Sequence, residues 1–375
     1  MEKRKIDMIY SLIVATFVLG ISLVCWLKPA DDISVTERRE LAQFPKLSVE
    51  TIMDGSFMEK FENYALDQFP MRETFRGVKA NVQKYILGQL DNKGIYLAEG
   101  HLSQMDGSIS DAALERSINK LSSVYNTYLK DTETNVYLSI IPDKNYFLAK
   151  ENGYLAYDYD ELYDRVTAEL SQMTYIEIRD MLEIEDYYRT DTHWKQECIV
   201  DVAEYLVDNM ATDAQVDQST DNAIFGYEEI TLENPFYGVY YGQAALSVEP
   251  DTLTYLNSDV LKNCLVFDHE NQRRIPVYDL NKAVGRDGYE MYLSGSLSVI
   301  TIENPNAPTD KELVLFRDSF GSSIAPLMIE DYAKITLLDI RYLNESMIDE
   351  FVEFNNQDVL FLYSTSVLNN ESSFR

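Results

Sequence analysis

Short apolar runs at residues 313–316, 335–338 and 359–363 alternate with helix-patterned stretches at 322–332 and 345–354. Apolar strands separated by helices indicate parallel βαβ units, and that alternation constrains the fold more than any other feature of the chain. Pro326 fits poorly inside the first of those helices. Sheets of this kind bind ligands beyond the carboxyl ends of their strands. Ser319, in Arg317-Asp318-Ser319-Phe320-Gly321, falls at that edge between a strand and a helix. A helix start there directs N–H groups and the positive end of its dipole at a developing oxyanion.

A serine becomes a nucleophile only beside a base, and the chain offers few. It has three histidines in 375 residues. One of them, His193, stands in Asp191-Thr192-His193-Trp194, just ahead of an apolar helical stripe at 199–210. In an extended segment or loop, residues i and i+2 point the same way, so Asp191 can orient the His193 imidazole. Ser319, His193 and Asp191 then form a nucleophile, base and carboxylate for acyl transfer. The plainer alternative makes Asp191 or Thr192 a helix cap, His193 a surface residue and Trp194 a core anchor. Asp318 adjoins Ser319 and diverges from it, which suits a turn-satisfying role rather than that of triad acid. Arg341 follows the next strand and reaches the same sheet edge, where it meets either an oxyanion or a neighbouring carboxylate. Lys144 and Tyr146, in the loop after the strand at 135–141, are further candidates at that edge. A metal site around Asp191 and His193 needs a third ligand, and His101 and His269 show no partner pattern. With no glycine-rich phosphate loop, dinucleotide fingerprint or C-x-x-C pair, no cofactor is implied.

Elsewhere the pattern is mixed. Residues 29–50 read as irregular, 57–87 as helical with a break at Phe69-Pro70, and 94–97 as a short strand. Ser110 caps an amphipathic helix carrying Leu114, Ile118, Leu121, Tyr125, Tyr128 and Leu129. Pro142 stops the buried-type strand at 135–141; a helix at 160–173 and a strand at 175–178 follow. Strand-like pieces at 237–242, 265–268 and 274–278 make 211–305 a β-rich insertion beside the site.

Residues 8–27 carry no charge, and Lys3, Arg4 and Lys5 precede them. The run is long enough to cross a bilayer, and the basic residues put the amino terminus in the cytoplasm and the rest outside. A cleaved signal peptide competes, but no small-x-small site follows, and Val24 is bulky for a lipoprotein signal ending at Cys25. The expected organisation is an anchor at 1–30, a membrane-proximal helical segment at 31–92 and a catalytic domain at 93–375. A 46% hydrophobic composition supports a core of that size. The formal charge of −31, from 32 basic and 63 acidic residues, argues against nucleic acid as a partner. Cys25, Cys198 and Cys264 form no disulfide framework.

Six stretches occur in order along the chain: Glu37-Arg38-Arg39-Glu40-Leu41-Ala42-Gln43-Phe44-Pro45, Asp67-Gln68-Phe69-Pro70-Met71-Arg72, Pro142-Asp143-Lys144, Asp191-Thr192-His193-Trp194, Asp318-Ser319-Phe320 and Asp339-Ile340-Arg341-Tyr342. In this series the chain resembles the DHHW protein family, itself similar to the alginate O-acetyltransferase proteins. The resemblance implies an α/β, SGNH-hydrolase-like (flavodoxin-like) parallel sheet with helices on both faces. It implies that Asp191, His193 and Ser319 match an acetyltransferase triad acting on an exported polysaccharide. A membrane-bound O-acyltransferase would then supply the acetyl group. Thr192 stands where the family name has its first histidine. Arg317 stands where the G-D-S signature has glycine, and it joins Arg341 as a residue to place against the oxyanion. Two other functions fit the same sequence. One is a degenerate relative that binds glycan or scaffolds an envelope complex, to which some of the 27 tyrosines would lend stacking faces. The other is a metal-dependent hydrolase.

Overall fold

The structure, a computed structural model, describes residues 2–210 and 226–374. Residues 211–225 of the expected insertion lie outside the described residues. Eight strands form the central sheet, in the spatial order Arg273–Ile275, Leu265–Asp268, Val299–Glu303, Lys334–Leu338, Glu312–Arg317, Asp358–Ser364, Asn135–Ile141 and Thr174–Tyr175. The last five are parallel, and the first three add an antiparallel edge.

The period-two alternation of these strands builds two cores. Leu313, Leu315, Ile335, Leu337, Leu360 and Leu362 face one side, where Ile324, Val202 and Leu206 cover them. Val314, Phe316, Val359, Phe361, Leu138 and Ile140 face the other, under Leu114, Leu121, Leu162 and Val166. A strand clothed on both faces must read as a continuous apolar run, which is why these segments are legible in the sequence.

Chain order and sheet order are offset. Counted from Glu312–Arg317, the five parallel strands come in the order 2-1-3-4-5, that of a flavodoxin-like doubly wound sheet. The chain reaches that order by a circular shift, because its third strand, Asp358–Ser364, is the last in sequence. The helix that would normally continue from it, Asp111–Val124, comes much earlier. The cut is closed by hydrogen bonds: Asn369 accepts from the Ser110 N–H at 2.8 Å and donates to the Ser108 carbonyl at 3.1 Å. Arg116 donates to the Glu371 carbonyl at 2.7 Å. Ser319 lies beyond Glu312–Arg317, at the point where strand order reverses.

The amino-terminal region has an apolar helix, Glu2–Leu27, whose span Arg4–Leu27 has a mean hydropathy of 2.4 and is long enough to cross a membrane. A two-stranded hairpin follows, Ile33–Ser34 with Arg39–Glu40. Helices Ser56–Asp67 and Arg72–Asn81 flank the expected break at Phe69-Pro70. Within the insertion, the hairpin Glu228–Phe236 and Asp251–Asn257 agrees with a β-rich reading. Residues 237–242 do not, because Val239–Ala244 is a helix. Its first N–H groups bond Thr190 and Asp191, tertiary partners that local composition does not reveal. The strand expected at 175–178 is confined to Thr174–Tyr175. The stretch at 345–354 is a short 3₁₀ turn, Glu345–Glu350, rather than a full helix.

Replacing Asn369 by alanine orphans the Ser110 N–H and the Ser108 carbonyl across the cut. We expect Asn369→Ala to cost about 1–3 kcal/mol in urea unfolding.

Candidate active site

The loop from Tyr188 to His193 is a tight return, closed by the Tyr188 N–H on the His193 carbonyl at 3.0 Å. Three separate elements hold it. From below, Lys144 donates to the carbonyls of Tyr188 (2.7 Å), Arg189 (3.1 Å) and Asp191 (2.8 Å). From one side, Asp251 accepts the Arg189 and Thr190 N–H groups, both at 2.8 Å, and the Thr190 hydroxyl. From above, Gly238 donates to Thr190 Oγ1 at 2.9 Å and Val239 to Asp191 Oδ2 at 2.8 Å.

The loop presents Asp191 and His193 to Ser319. His193 Nδ1 lies 2.6 Å from Asp191 Oδ1, and Nε2 lies 2.7 Å from Ser319 Oγ. Burial by itself pushes the Asp191 carboxyl up, but His193, Arg38 and the Val239 N–H outweigh it and hold its pKa well below the carboxylate range. An ionised carboxylate only accepts, so Nδ1 carries the proton and Nε2 is left bare to receive that of Ser319. Asp191 is fully buried, His193 is 8% exposed and Ser319 is half-buried, so exposure rises along the row from the carboxylate to the serine. The Tyr289 ring stacks on the imidazole at 3.8 Å and 7°, fixing its plane. Ser323 accepts from Trp194 Nε1 at 2.8 Å and is also bonded to the Tyr289 hydroxyl at 2.8 Å, which ties both flanking rings to the helix Gly321–Met328.

Asp318 behaves as a turn residue: its oxygens accept the N–H groups of Phe320 (3.0 Å) and Ser364 (2.7 Å). The first N–H groups of the following helix are spent locally, Gly321 on the Asp318 carbonyl, Ser322 on that of Ser319 and Ser323 on that of Phe320. The Ser319 N–H has no partner among the described residues, so it is the donor available to an oxyanion, rather than the helix's first turn.

The other sequence candidates each have partners other than Ser319. Arg341 is locked onto Asp339 by two bonds, Nε–Oδ1 at 2.9 Å and Nη2–Oδ2 at 2.6 Å. Arg317 is fully buried and aims at the carbonyls of Asp318 and Leu297, both at 3.3 Å. Tyr146 packs edge-on against Phe147 and Tyr159. Lys144 is 2% exposed with its three protons on carbonyls, so it braces the loop. Sequence reasoning missed Gly238, Val239, Asp251 and Arg38, which reach the site from distant segments.

Compared with known protein families, the chain matches none, and no curated protein matches it by sequence. Solved structures do share its fold. A DHHW family protein from Eubacterium siraeum DSM 15702 aligns at TM-score 0.57 and 19% identity, over 74% of this chain and 92% of that one. Bacillus cereus PatB1 aligns at TM-score 0.58 and 18% identity, over 75% of this chain and 98% of that one. A PatB1 structure with a sulfonyl adduct aligns at 0.56 and 18%, over 74% and 97%. The fold is the one that the ordered motif series led us to expect.

Two outcomes test this geometry. A Cβ on Gly238 would sit 2.4 Å from the Asp191 backbone, so Gly238→Ala must push the carboxylate aside. A misplacement of about 1 Å costs roughly a hundredfold, and we expect that loss in the rate at which Ser319 takes up a fluorophosphonate. Burial pulls the Lys144 ammonium from 10.5 to about 7, against the opposing pull of Asp251 and Asp191. Between those values the unfolded chain binds a proton that the folded one does not, so stability attributable to Lys144 rises with pH across the window. Urea unfolding of the wild type, compared with Lys144→Met at about pH 7 and about pH 9, should show the gap between them widening at the higher pH.

Proposed function

We propose that this chain, which carries the fold of the DHHW family protein, is a membrane-anchored serine O-acetyltransferase or esterase that works outside the cytoplasm on an exported polysaccharide. The observation that carries the reading is the continuous chain Asp191–His193–Ser319, with links of 2.6 and 2.7 Å and a half-buried hydroxyl at its end. Ser319 Oγ attacks an acetyl carbonyl as its proton passes to His193 Nε2, and Asp191 steadies the imidazolium. The Ser319 N–H stabilises the oxyanion. His193 hands the proton to the departing oxygen, leaving acetyl-Ser319. An acceptor hydroxyl then gives its proton to His193 and attacks the acetyl group, and the proton returns to Ser319.

A sugar is favoured as acceptor by a polar cleft of about 420 Å³ beside the loop, whose lining includes Gln104, Asp106, Thr192, Gln243, Asn369 and Asn370. Amides and carboxylates of this kind bond sugar hydroxyls. The uncharged run at 8–27, within the apolar span Arg4–Leu27, and the basic residues Lys3, Arg4 and Lys5 ahead of that run support a single-pass anchor with the catalytic domain outside. A membrane-bound O-acyltransferase is the acetyl donor that the motif resemblance suggests.

Ser319→Ala should abolish both covalent labelling by a fluorophosphonate or sulfonyl fluoride and hydrolysis of an activated acetyl ester. Retention of both would remove Ser319 as the nucleophile. A wild type that binds glycan without labelling or turnover would favour a binding protein.

A further inference from the structure

We propose that Arg38, in the segment between the apolar anchor and the catalytic domain, is a positioning residue for the triad, so that this segment completes the active site. The inference rests on the acyl-transfer reading above. Arg38 Nη1 donates to Asp191 Oδ2 at 2.8 Å, with Arg38 13% and Asp191 0% exposed at the side chain. Asp191 therefore has four donors: the His193 ring and N–H on Oδ1, and Arg38 and the Val239 N–H on Oδ2. The other arm of the guanidinium pairs with Asp287. One fork thus joins the triad acid to the 3₁₀ turn Gly288–Met291 that carries Tyr289, the ring stacked on His193.

The surrounding motif is built to deliver that fork. Arg38 sits at φ 56° in the hairpin turn, a left-handed conformation that a non-glycine residue adopts only where its surroundings hold it there. Its neighbours on either side are clamped. Glu37 pairs with Arg72, and with Arg76 at 3.2 Å. Arg39 grips Asp67 through two bonds at 2.9 and 2.5 Å, and Asp67 also accepts the Ala42 N–H at 2.9 Å. The two amino-terminal motif stretches therefore bind each other, and together they fix the residue between them. On the other side, a Cβ at Gly242 would fall 2.1 Å from the Thr36 carbonyl oxygen, so the hairpin seats directly on the helix Val239–Ala244 that also caps Asp191.

The charges facing the imidazole and its carboxylate are Arg38, Lys144 on the Asp191 carbonyl, Asp287 on Arg38, and Asp318 and Arg317 beyond the Tyr289 ring. Arg38 is the one that shares the Asp191 carboxylate with His193. Without it, that carboxylate would hold the imidazolium proton more tightly, and the acid limb of the rate profile would move to higher pH.

The test measures fluorophosphonate labelling of Ser319 against pH, in the full chain in detergent. In Arg38→Gln the rate at neutral pH should fall about tenfold or more, with the acid limb raised by about one pH unit. Arg38→Lys, which restores the charge without the fork, should bring the limb back while recovering only part of the rate. Arg39→Gln, which cuts the brace but leaves Arg38, should lower the unfolding temperature with the limb in place. A folded Arg38→Gln chain with the wild-type rate and profile overturns the inference. So does a limb that moves equally in the Arg38 and Arg39 variants, which would assign the effect to a loosened loop. A wild type that takes up no probe overturns the triad reading and this inference with it; a labelled wild type with an unaltered Arg38→Gln overturns this inference alone.

Discussion

The Asp191 carboxylate is the constraint on which the rest depends. A buried charge survives only when its lone pairs are filled, and here four donors from three parts of the chain fill them. Filling them decides the histidine tautomer, and the tautomer decides which ring nitrogen is free for Ser319. The helix Val239–Ala244 and the amino-terminal hairpin each contribute a donor to that carboxylate.

The loop that carries Asp191 is short of regular structure and needs outside support for its backbone. Lys144 provides it by facing three carbonyls at once, a use that exploits the three protons of an ammonium group. Burying that ammonium is costly, which is why its pKa falls towards neutrality. The insertion then closes over the loop through Asp251 and Gly238, so rigidity at His193 is spread over elements far apart in sequence.

Much of this was legible from sequence, for an identifiable reason. The parallel strands are buried on both faces, so Leu313, Leu315, Val359 and Leu360 announce them locally. Asp191 and His193 could be paired because i and i+2 in a loop share a direction, and Ser319 because strand ends collect ligands. The residues that complete the site gave no such signal. Gly238 is needed for closeness to Asp191 and Val239 for its N–H alone, and neither requirement shows in residue type. The tyrosines and glycines at 237–242 instead suggested a strand. Arg38 lay in plain view within a motif, but its partner is 153 residues away. Arg341 and Arg317 were placed at the correct edge, yet Asp339 and the backbone carbonyls claim them first.

Arg317 also shows how a departure from a signature is absorbed. A small residue before the Asp-Ser pair leaves room for the tight turn, and an arginine there must send its side chain elsewhere. It runs down past Gly321, where an added Cβ would come within 2.6 Å of the Arg317 Cβ. The space given up two residues before the serine is recovered two residues after it. Arg317-Asp318-Ser319-Phe320-Gly321 is thus one packing unit: the arginine stem occupies the room that glycine leaves. Its guanidinium bonds the Leu297 carbonyl, just ahead of the strand Val299–Glu303, and Asp318 ties the turn to Ser364 on the neighbouring strand. The Ser319 N–H keeps no partner among the described residues with arginine at 317.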